Sequence, residues 1–413
     1  MGVVMLIQFD CSNFGSIKEK VSFSMLSSSE NQDDKNLISF GKKKYLRMAE
    51  IYGANASGKT TLVNALVVMS ILVSEGYKSF NPVQELPWNP HKMSPKENPT
   101  TFEVLFEEEG IKFSYGFSYT DEKIIDEYLY YWPGAKKAKI FERKKSFSFA
   151  DSFKKQGENC KGRLKDNKLL LSCAADETNI ELIRQAYSFF ARELKFYFEP
   201  NNWKLYSAKK MMSDNNLKRR FLSFMKAVGS DVQDLKISID RIQNSLPQKA
   251  FEEKSKNLPI RYEERANVKF IYKHFSIDLE DESSGVQKLF SILCPIADIL
   301  ENNRVLICDE IEQNLHPAIV AKIVEIFGHK SDSHAQLIFT THNTDLLVVN
   351  DLDIRRDQIW FTELKPESRS TDLYSLADIN DVRKDENFKR GYLAGRYGAI
   401  PVMNEEFFKR FCK

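Results

Sequence analysis

The chain has 413 residues, 42% of them apolar, with 60 lysines and arginines against 58 aspartates and glutamates. That length supports more than one substructure around a buried core, and a formal charge of +2 gives no global field of the kind that marks an obligate nucleic-acid binder. Six cysteines without a CxxC pair point to reduced cytosolic thiols, and neither a bilayer-length apolar run nor a secretion pattern is visible, so a soluble, cytoplasmic protein with no membrane partner is expected.

Residues 3–9 and 20–26 read as two strands flanking the turn "NFGSIKE", and the polar stretch 27–44 reads as a loop. "YLRMAEIYG" is a strand candidate. "KTTLVNALVVMSILVSEG" follows as a helix, with Leu62, Ala65, Leu66 and Met69 at helical spacing. Four prolines make 81–100 an irregular connection, 101–119 alternates as a hairpin about Glu109-Gly110, and 124–149 continues in strands. Between 176 and 229 the period becomes helical. Strands and loops lead to a helix at 286–300, then the apolar strand "RVLICDE", a helix at 317–328 and a second apolar strand, "AQLIFTTH". Two continuously apolar strands, each ending in a polar cluster, indicate a parallel sheet buried on both faces, with ligands expected at its carboxyl ends.

The polar clusters carry the chemistry. Gly53, Gly58, Lys59 and Thr60 fit G-x-x-x-x-G-K-[ST] between a strand and a helix. In such a loop the backbone N–H groups of Asn55, Ala56, Ser57, Gly58, Lys59, Thr60 and Thr61 surround phosphate oxygens. Lys59 reaches the β- and γ-phosphates of ATP, and the Thr60 hydroxyl meets Mg²⁺. At the end of "RVLICDE", Asp309 is positioned for the Mg²⁺ shell and Glu310 for activating the attacking water. His342, following Thr340 and Thr341, is placed to touch the γ-phosphate or that water. In "DESSGVQKLF", Ser284 and Gly285 cap a helix, which is either an ordinary cap or an anion site.

The order of loop, Ser-Gly-x-Gln, Asp-Glu and His resembles the ABC-type ATPase heads, which include transporter nucleotide domains, SMC and DNA-repair heads and OLD-type ATPases. The resemblance implies an α/β P-loop NTPase head: a mixed sheet with flanking helices, an antiparallel β subdomain and a mainly helical insertion. It divides the chain into 1–149 (the P-loop and antiparallel strands), 150–265 (the insertion) and 266–413 (the signature, Walker B, His-loop and tail). It also implies that Ser284, Gly285 and Gln287 of one protomer cover the ATP held by another, in a head-to-tail homodimer or a higher oligomer. Ser283 and Val286 replace the usual leucine and second glycine of that signature, and Gln84 is a weak candidate for the nucleotide-sensing glutamine. Together with "FTTHNTDLL", "RRDQIWFTE", "DLYSLADI" and "YLAGRYGAIP", these motifs resemble the bacterial abortive-infection (AbiL/Rlo-type) antiphage ATPases. That implies a slow regulatory ATPase acting as sensor or scaffold for a separately encoded effector such as a nuclease.

Other readings stay open at this level. A DNA-repair or chromosome-associated head would use Lys136, Lys137, Lys139, Arg143, Lys144, Lys145, Lys209, Lys210, Lys218, Arg219 and Arg220 as a nucleic-acid track, although charge runs are usually solvated faces. "RRDQIWF" reads as an edge strand. Gly391, Gly395 and Gly398 around Arg396 and Tyr397 read as a terminal turn that packs on the head or docks a partner. The long helical insertion and the "EQNLHP" loop do not suit a transporter domain, the roughly 70 residues after His342 lack the clustered carboxylates of a two-metal nuclease, and a small-molecule kinase would leave the signature and histidine without a role.

Overall fold

The computed structural model describes residues 3–28, 35–41, 43–79, 81, 84–197, 200–243, 262–329, 332–348, 354–383, 386–401 and 410. The chain forms two compact units. One comprises Met1–Phe196, Leu300–Glu312 and Val320–Lys413; the other comprises Tyr197–Ile299 and Gln313–Ile319.

The first unit opens with β1 (Val4–Ser12) and β2 (Val21–Ser24), an antiparallel pair. A hairpin, β3 (Leu37–Phe40) and β4 (Lys43–Leu46), then occupies part of the stretch expected to be a loop. The polar composition of 27–44 hides three apolar residues: Leu37 is buried, Ile38 packs with Met5, Ile7 and Tyr45 in a local core, and Phe40 packs against that core. Residues 29–34 of that loop lie outside the described residues. Next come β5 (Met48–Gly53), α1 (Lys59–Ser74) and the short α2 (Gly76–Ser79). Helix α1 buries Leu62, Val63, Ala65, Leu66, Met69, Leu72 and Val73, the apolar face its spacing predicts.

Strands β6 (Thr100–Glu108), β7 (Ile111–Tyr119), β8 (Ile124–Trp132), β9 (Ala138–Arg143) and β10 (Phe147–Phe149) join β1 and β2 in a seven-stranded sheet ordered β10-β9-β8-β7-β6-β1-β2. Helices α3 (Lys154–Arg163), α4 (Leu170–Glu177) and α5 (Glu181–Ser188) and a π-turn at Phe189–Glu193 follow, then β11 (Leu194–Tyr197). These helices belong to the first unit rather than to a separate lobe, for two local reasons. The buried Glu127 of β8 accepts the N–H groups of Leu170 and Leu171 at the start of α4. Phe189 stacks on Phe106 with ring centroids 4.2 Å apart.

The second unit holds α6 (Pro200–Ser213) and α7 (Asn215–Ala227), the latter capped by the Asp214 carboxylate on the N–H groups of Asn216 and Leu217. It also holds β12 (Asp234–Gln243), β13 (Tyr262–Ile271) and β14 (Ser276–Asp278), a three-stranded antiparallel sheet. Helix α8 (Ser284–Asn302) starts in this unit.

The chain then completes the first unit with β15 (Val305–Cys308), α9 (Pro317–His329, whose first residues belong to the second unit), β16 (Gln336–Thr340), β17 (Ile359–Lys365), β18 (Ser370–Ser375) and α10 (Phe388–Leu393). The second sheet runs β11-β15-β16-β5-β17-β18. Strands β15, β16, β5 and β17 are parallel, and β18 is antiparallel to β17. Strands β5, β15 and β16 are buried along their whole length, which is why their sequences are apolar apart from Glu50, Gln336 and Thr340. The "RRDQIWF" strand is not an edge: β17 pairs with β5 on one side and β18 on the other, because "DLYSL" supplies the outer strand. Gln336 ties the two sheets together, accepting the Leu6 N–H at 2.7 Å and donating to the Leu6 and Leu46 carbonyls. Among the described residues no helix is long and apolar enough to cross a membrane.

Candidate functional site

Strand β5 ends at Gly53, and six residues later Lys59 opens α1. The loop between them is shaped by the C-terminal strands. Gly58 has φ +110°, and a Cβ there would lie 2.1 Å from Thr371 Oγ1; at Gly53 a Cβ would lie 2.4 Å from Thr362 Oγ1 and 2.5 Å from the Thr362 carbonyl. No side chain fits at either position. Hydroxyls bind the loop to β17 and β18. Ser57 Oγ is 2.6 Å from Thr362 Oγ1, and Thr371 donates to the Ser57 carbonyl at 2.9 Å. Ser16, in the turn after β1, lies 2.7 Å from Thr371 Oγ1 and donates to Thr61 at 3.1 Å. Asn55, Ala56 and Thr60 are exposed, and Ala56 is left-handed at φ +63°. Lys59 is buried and donates to the carbonyls of Gly53 and Ala54 at 2.8 and 3.1 Å.

The acidic cluster sits at the carboxyl ends of the neighbouring strands. Thr340, the last residue of β16, donates its hydroxyl to Asp309 at 2.6 Å and accepts the Glu310 N–H at 2.7 Å. Glu310 holds a left-handed backbone at φ +49°, a conformation that costs energy for a non-glycine residue and tends to collect at functional positions. Glu312 accepts the His342 N–H at 2.6 Å, while its Oε2 is buried without a hydrogen-bond partner.

These groups share one electrostatic environment. Burial lowers the Lys59 pKa, with Asp309, Glu310 and Glu312 opposing that shift. Partial desolvation, and then the Lys59 charge, hold the His342 imidazole below its ordinary value, against the pull of the same three carboxylates. His342 is therefore neutral at pH 7, able to donate from one ring nitrogen and accept at the other. Lys59, Asp309, Glu310 and His342, separated by up to 283 positions in sequence, meet in the first unit.

The second unit holds the Ser-Gly segment. The cap of α8 is Ser283, whose hydroxyl accepts the Val286 N–H at 3.3 Å; Ser284 and Gly285 are instead the first helical residues. Ser284 is exposed. A Cβ at Gly285 would meet the Asn314 carbonyl at 3.0 Å, so the loop after Asp-Glu runs closely over this helix start. Gln287 is already engaged: it donates to the carbonyls of Glu280 and Glu282 and accepts from Lys204 at 2.9 Å. Gln84 is exposed, accepts the Asn81 N–H at 3.2 Å and receives Asn167, from the segment before α4, on its carbonyl.

Several of the basic residues considered for a nucleic-acid track are engaged locally. In the first unit Arg143 is buried against Glu127 and the carbonyls of Lys168 and Asp166, and Lys137 covers the Tyr130 ring. In the second, Lys209, Lys210 and Lys218 pair with Glu264, Asp298 and Asp234.

Sequence reasoning did not single out Glu312, Ser16, Thr362 or Thr371, nor a bonding role for Thr340. Glu312 lies in an irregular loop where no periodicity marks it. The hydroxyl partners come from segments up to 355 positions apart, joined only by sheet topology.

Fold and site together define a P-loop nucleotide-binding domain of mixed α/β architecture. The profile of the family described as "AAA domain, putative AbiEii toxin, Type IV TA system" matches residues 49–349, and the chain belongs to that family. No curated protein matches it. Similar solved structures include an SMC head bound to the C-terminal winged-helix domain of ScpA, 13% identical with a TM-score of 0.47, covering 90% of this chain and 97% of that one. The SMC head domain from Thermotoga maritima is 11% identical with a TM-score of 0.40, covering 90% and 98%. The Smc head with an extended coiled coil bound to the C-terminal domain of ScpA, from Pyrococcus furiosus, is 12% identical with a TM-score of 0.42, covering 90% and 96%.

Proposed function

We propose that the chain binds and slowly hydrolyses ATP and that an ATP-sandwiched homodimer is its switched state. The observation that carries this is the meeting of Lys59, Asp309, Glu310 and His342 at the ends of β5, β15 and β16. The residues fit a nucleoside triphosphate with Mg²⁺. Gly53 and Gly58 keep the loop free of side chains, and the left-handed Ala56 and Gly58 supply the backbone alternation from which anion nests are built. Thr60 and Asp309 offer the hard oxygen donors that Mg²⁺ prefers. Bound Mg²⁺ would neutralise phosphate charge. Lys59 would trade its carbonyl partners for phosphate oxygens, and Glu310 would accept a proton from the attacking water. Neutral His342 would orient that water or the terminal phosphate. Thr340 would hold Asp309 and the Glu310 backbone in register.

Two features support a second protomer. Ser284 is exposed at a helix start, and Gly285 lies under the Asn314 carbonyl, in the loop that follows the catalytic acids. In this reading Ser284 and Gly285 complete the partner's site, and Gln287, with both ends of its amide occupied, braces the segment rather than touching nucleotide. Membership of a family described by a toxin and a Type IV toxin–antitoxin system supports a role as sensor or scaffold for a separate effector in antiphage defence.

The test is light scattering and ATP turnover of Glu310→Gln beside Lys59→Ala. Glu310→Gln should bind ATP, lose hydrolysis and become a stable dimer with ATP and Mg²⁺, whereas Lys59→Ala should stay unassembled. A Glu310→Gln protein that binds ATP and remains monomeric overturns the sandwich. Turnover stimulated by DNA and falling steeply with salt would favour action on nucleic acid instead.

A further inference from the structure

After β18 the first unit encloses a cleft of about 900 Å³ that the nucleotide reading does not use. One of its walls is built by the "YLAGRYGAIP" segment. Gly391 has to be glycine, because a Cβ there would meet Tyr397 Oη at 2.2 Å. The Tyr397 hydroxyl donates to Glu386, and the Arg396 guanidinium joins the Glu386 carboxylate at 2.7 Å to the Asp381 carbonyl at 2.6 Å. Behind them Tyr392 and Tyr397 pack into one core with Tyr52 and Phe361, so this wall is anchored to β5 and β17. Lys389 pairs with Asp345, three residues beyond His342, and fixes the other side of α10.

Against this fixed wall stand two guanidinium groups without work. Arg383 and Arg390 line the cleft and are exposed, and neither side chain has a hydrogen bond or ion pair among the described residues. Leu393, on α10 with Arg390 but outside the cleft lining, is 59% exposed, and Ala394 beside it, which lines the cleft, is exposed as well. The forked guanidinium is the side chain that matches a carboxylate bidentately. Arginines beside an uncovered aliphatic residue have the composition of a protein–protein contact. A phosphodiester backbone fits less well, because it carries no apolar group to cover Leu393.

We propose that this cleft docks an acidic peptide segment of a second protein, with its carboxylates on Arg383 and Arg390 and an apolar residue against Leu393. The proposal does not rest on the nucleotide reading, and its test needs no nucleotide. Fluorescence anisotropy of the full chain would be measured with three labelled probes: a dodecapeptide of glutamate and leucine, its lysine–leucine counterpart, and an oligothymidylate. The glutamate–leucine peptide should bind, and Arg383→Ala combined with Arg390→Ala should weaken it at least about tenfold. Leu393→Ser should weaken it several-fold, and Arg390→Glu should turn the preference toward the lysine–leucine peptide. Because these side chains are exposed, the variants should melt with the parent, which a thermal scan checks. Failure of the acidic peptide to bind the parent, or binding indifferent to the double substitution, overturns the proposal. So does an oligothymidylate affinity that the double substitution abolishes while peptide binding persists.

Discussion

Glu312 accepts the backbone N–H of His342 at 2.6 Å, and the same carboxylate keeps a second, buried oxygen with no partner among the described residues. The contact joins the loop after the Asp-Glu pair to the strand end that presents the imidazole. Glu312→Ala removes the acceptor and frees the His342 backbone, a loss of about 1–3 kcal/mol in the site's geometry. ATP turnover should therefore fall roughly tenfold or more, mainly in kcat, with KM for ATP changing less. Glu312→Gln keeps an oxygen that can accept and should lie between the parent and the alanine variant. Equal losses in both variants would point instead to the carboxylate charge beside Lys59 as the part that matters.

Gly58 is fixed twice over, by φ +110° and by Thr371 Oγ1 standing where a Cβ would go. Gly58→Ala should destabilise the fold by at least about 2 kcal/mol and abolish ATP binding, as read by denaturant melts and nucleotide titration. Adding Thr371→Ala relieves the contact but not the backbone conformation. The double variant should recover part of the stability while ATP binding stays lost. Full recovery of binding would mean that crowding alone, and not φ, sets the loop.

Thr340 is buried and serves two acids at once, donating to Asp309 and accepting the Glu310 N–H. Thr340→Val keeps the shape and removes both bonds. The Mg²⁺ concentration needed for half-maximal turnover should rise several-fold and kcat should drop, whereas Thr340→Ser should behave close to the parent. A valine variant with unchanged Mg²⁺ dependence would show that Asp309 needs no such clamp.

The parts legible in the sequence were those whose signal is local. The apolar strands β5, β15 and β16, the helical spacing of α1 and the alternation about Glu109-Gly110 each announce their own structure, and G-x-x-x-x-G-K-T announces its loop. The hairpin β3–β4 was hidden because its apolar residues sit in a polar stretch, and the burial of Ile38 depends on Met5 and Ile7 from another strand. The place of β17 inside the sheet depends on β18 arriving outside it. Ser283 rather than Ser284 caps α8, a one-residue difference that composition alone does not resolve. The hydroxyl contacts of Ser16, Thr362 and Thr371 on the loop exist only because the sheet brings the C-terminal strands beside β5.

Glu50 makes the last prediction, because it is a charge-bearing residue on the central strand with no cation against it among the described residues. It is fully buried between β16 and β17, Tyr52 donates to its Oε2 at 2.8 Å, and its Oε1 has no partner among the described residues. Burial pushes its pKa from an ordinary 4.5 up to about 7, with the Tyr52 hydrogen bond acting the other way. A raised carboxyl pKa means that the folded state holds this proton more tightly than the unfolded chain. Between those two values the native state binds more protons, so stability falls as pH rises. The contribution is fully present below about 4.5 and is lost as pH passes 7, by up to about 3 kcal/mol. Glu50→Gln is neutral at every pH and should lack this slope. Urea melts at pH 5, 6, 7 and 8 should show the parent weakening relative to the glutamine variant toward pH 8. Parallel curves across that range would show that Glu50 does not titrate with folding.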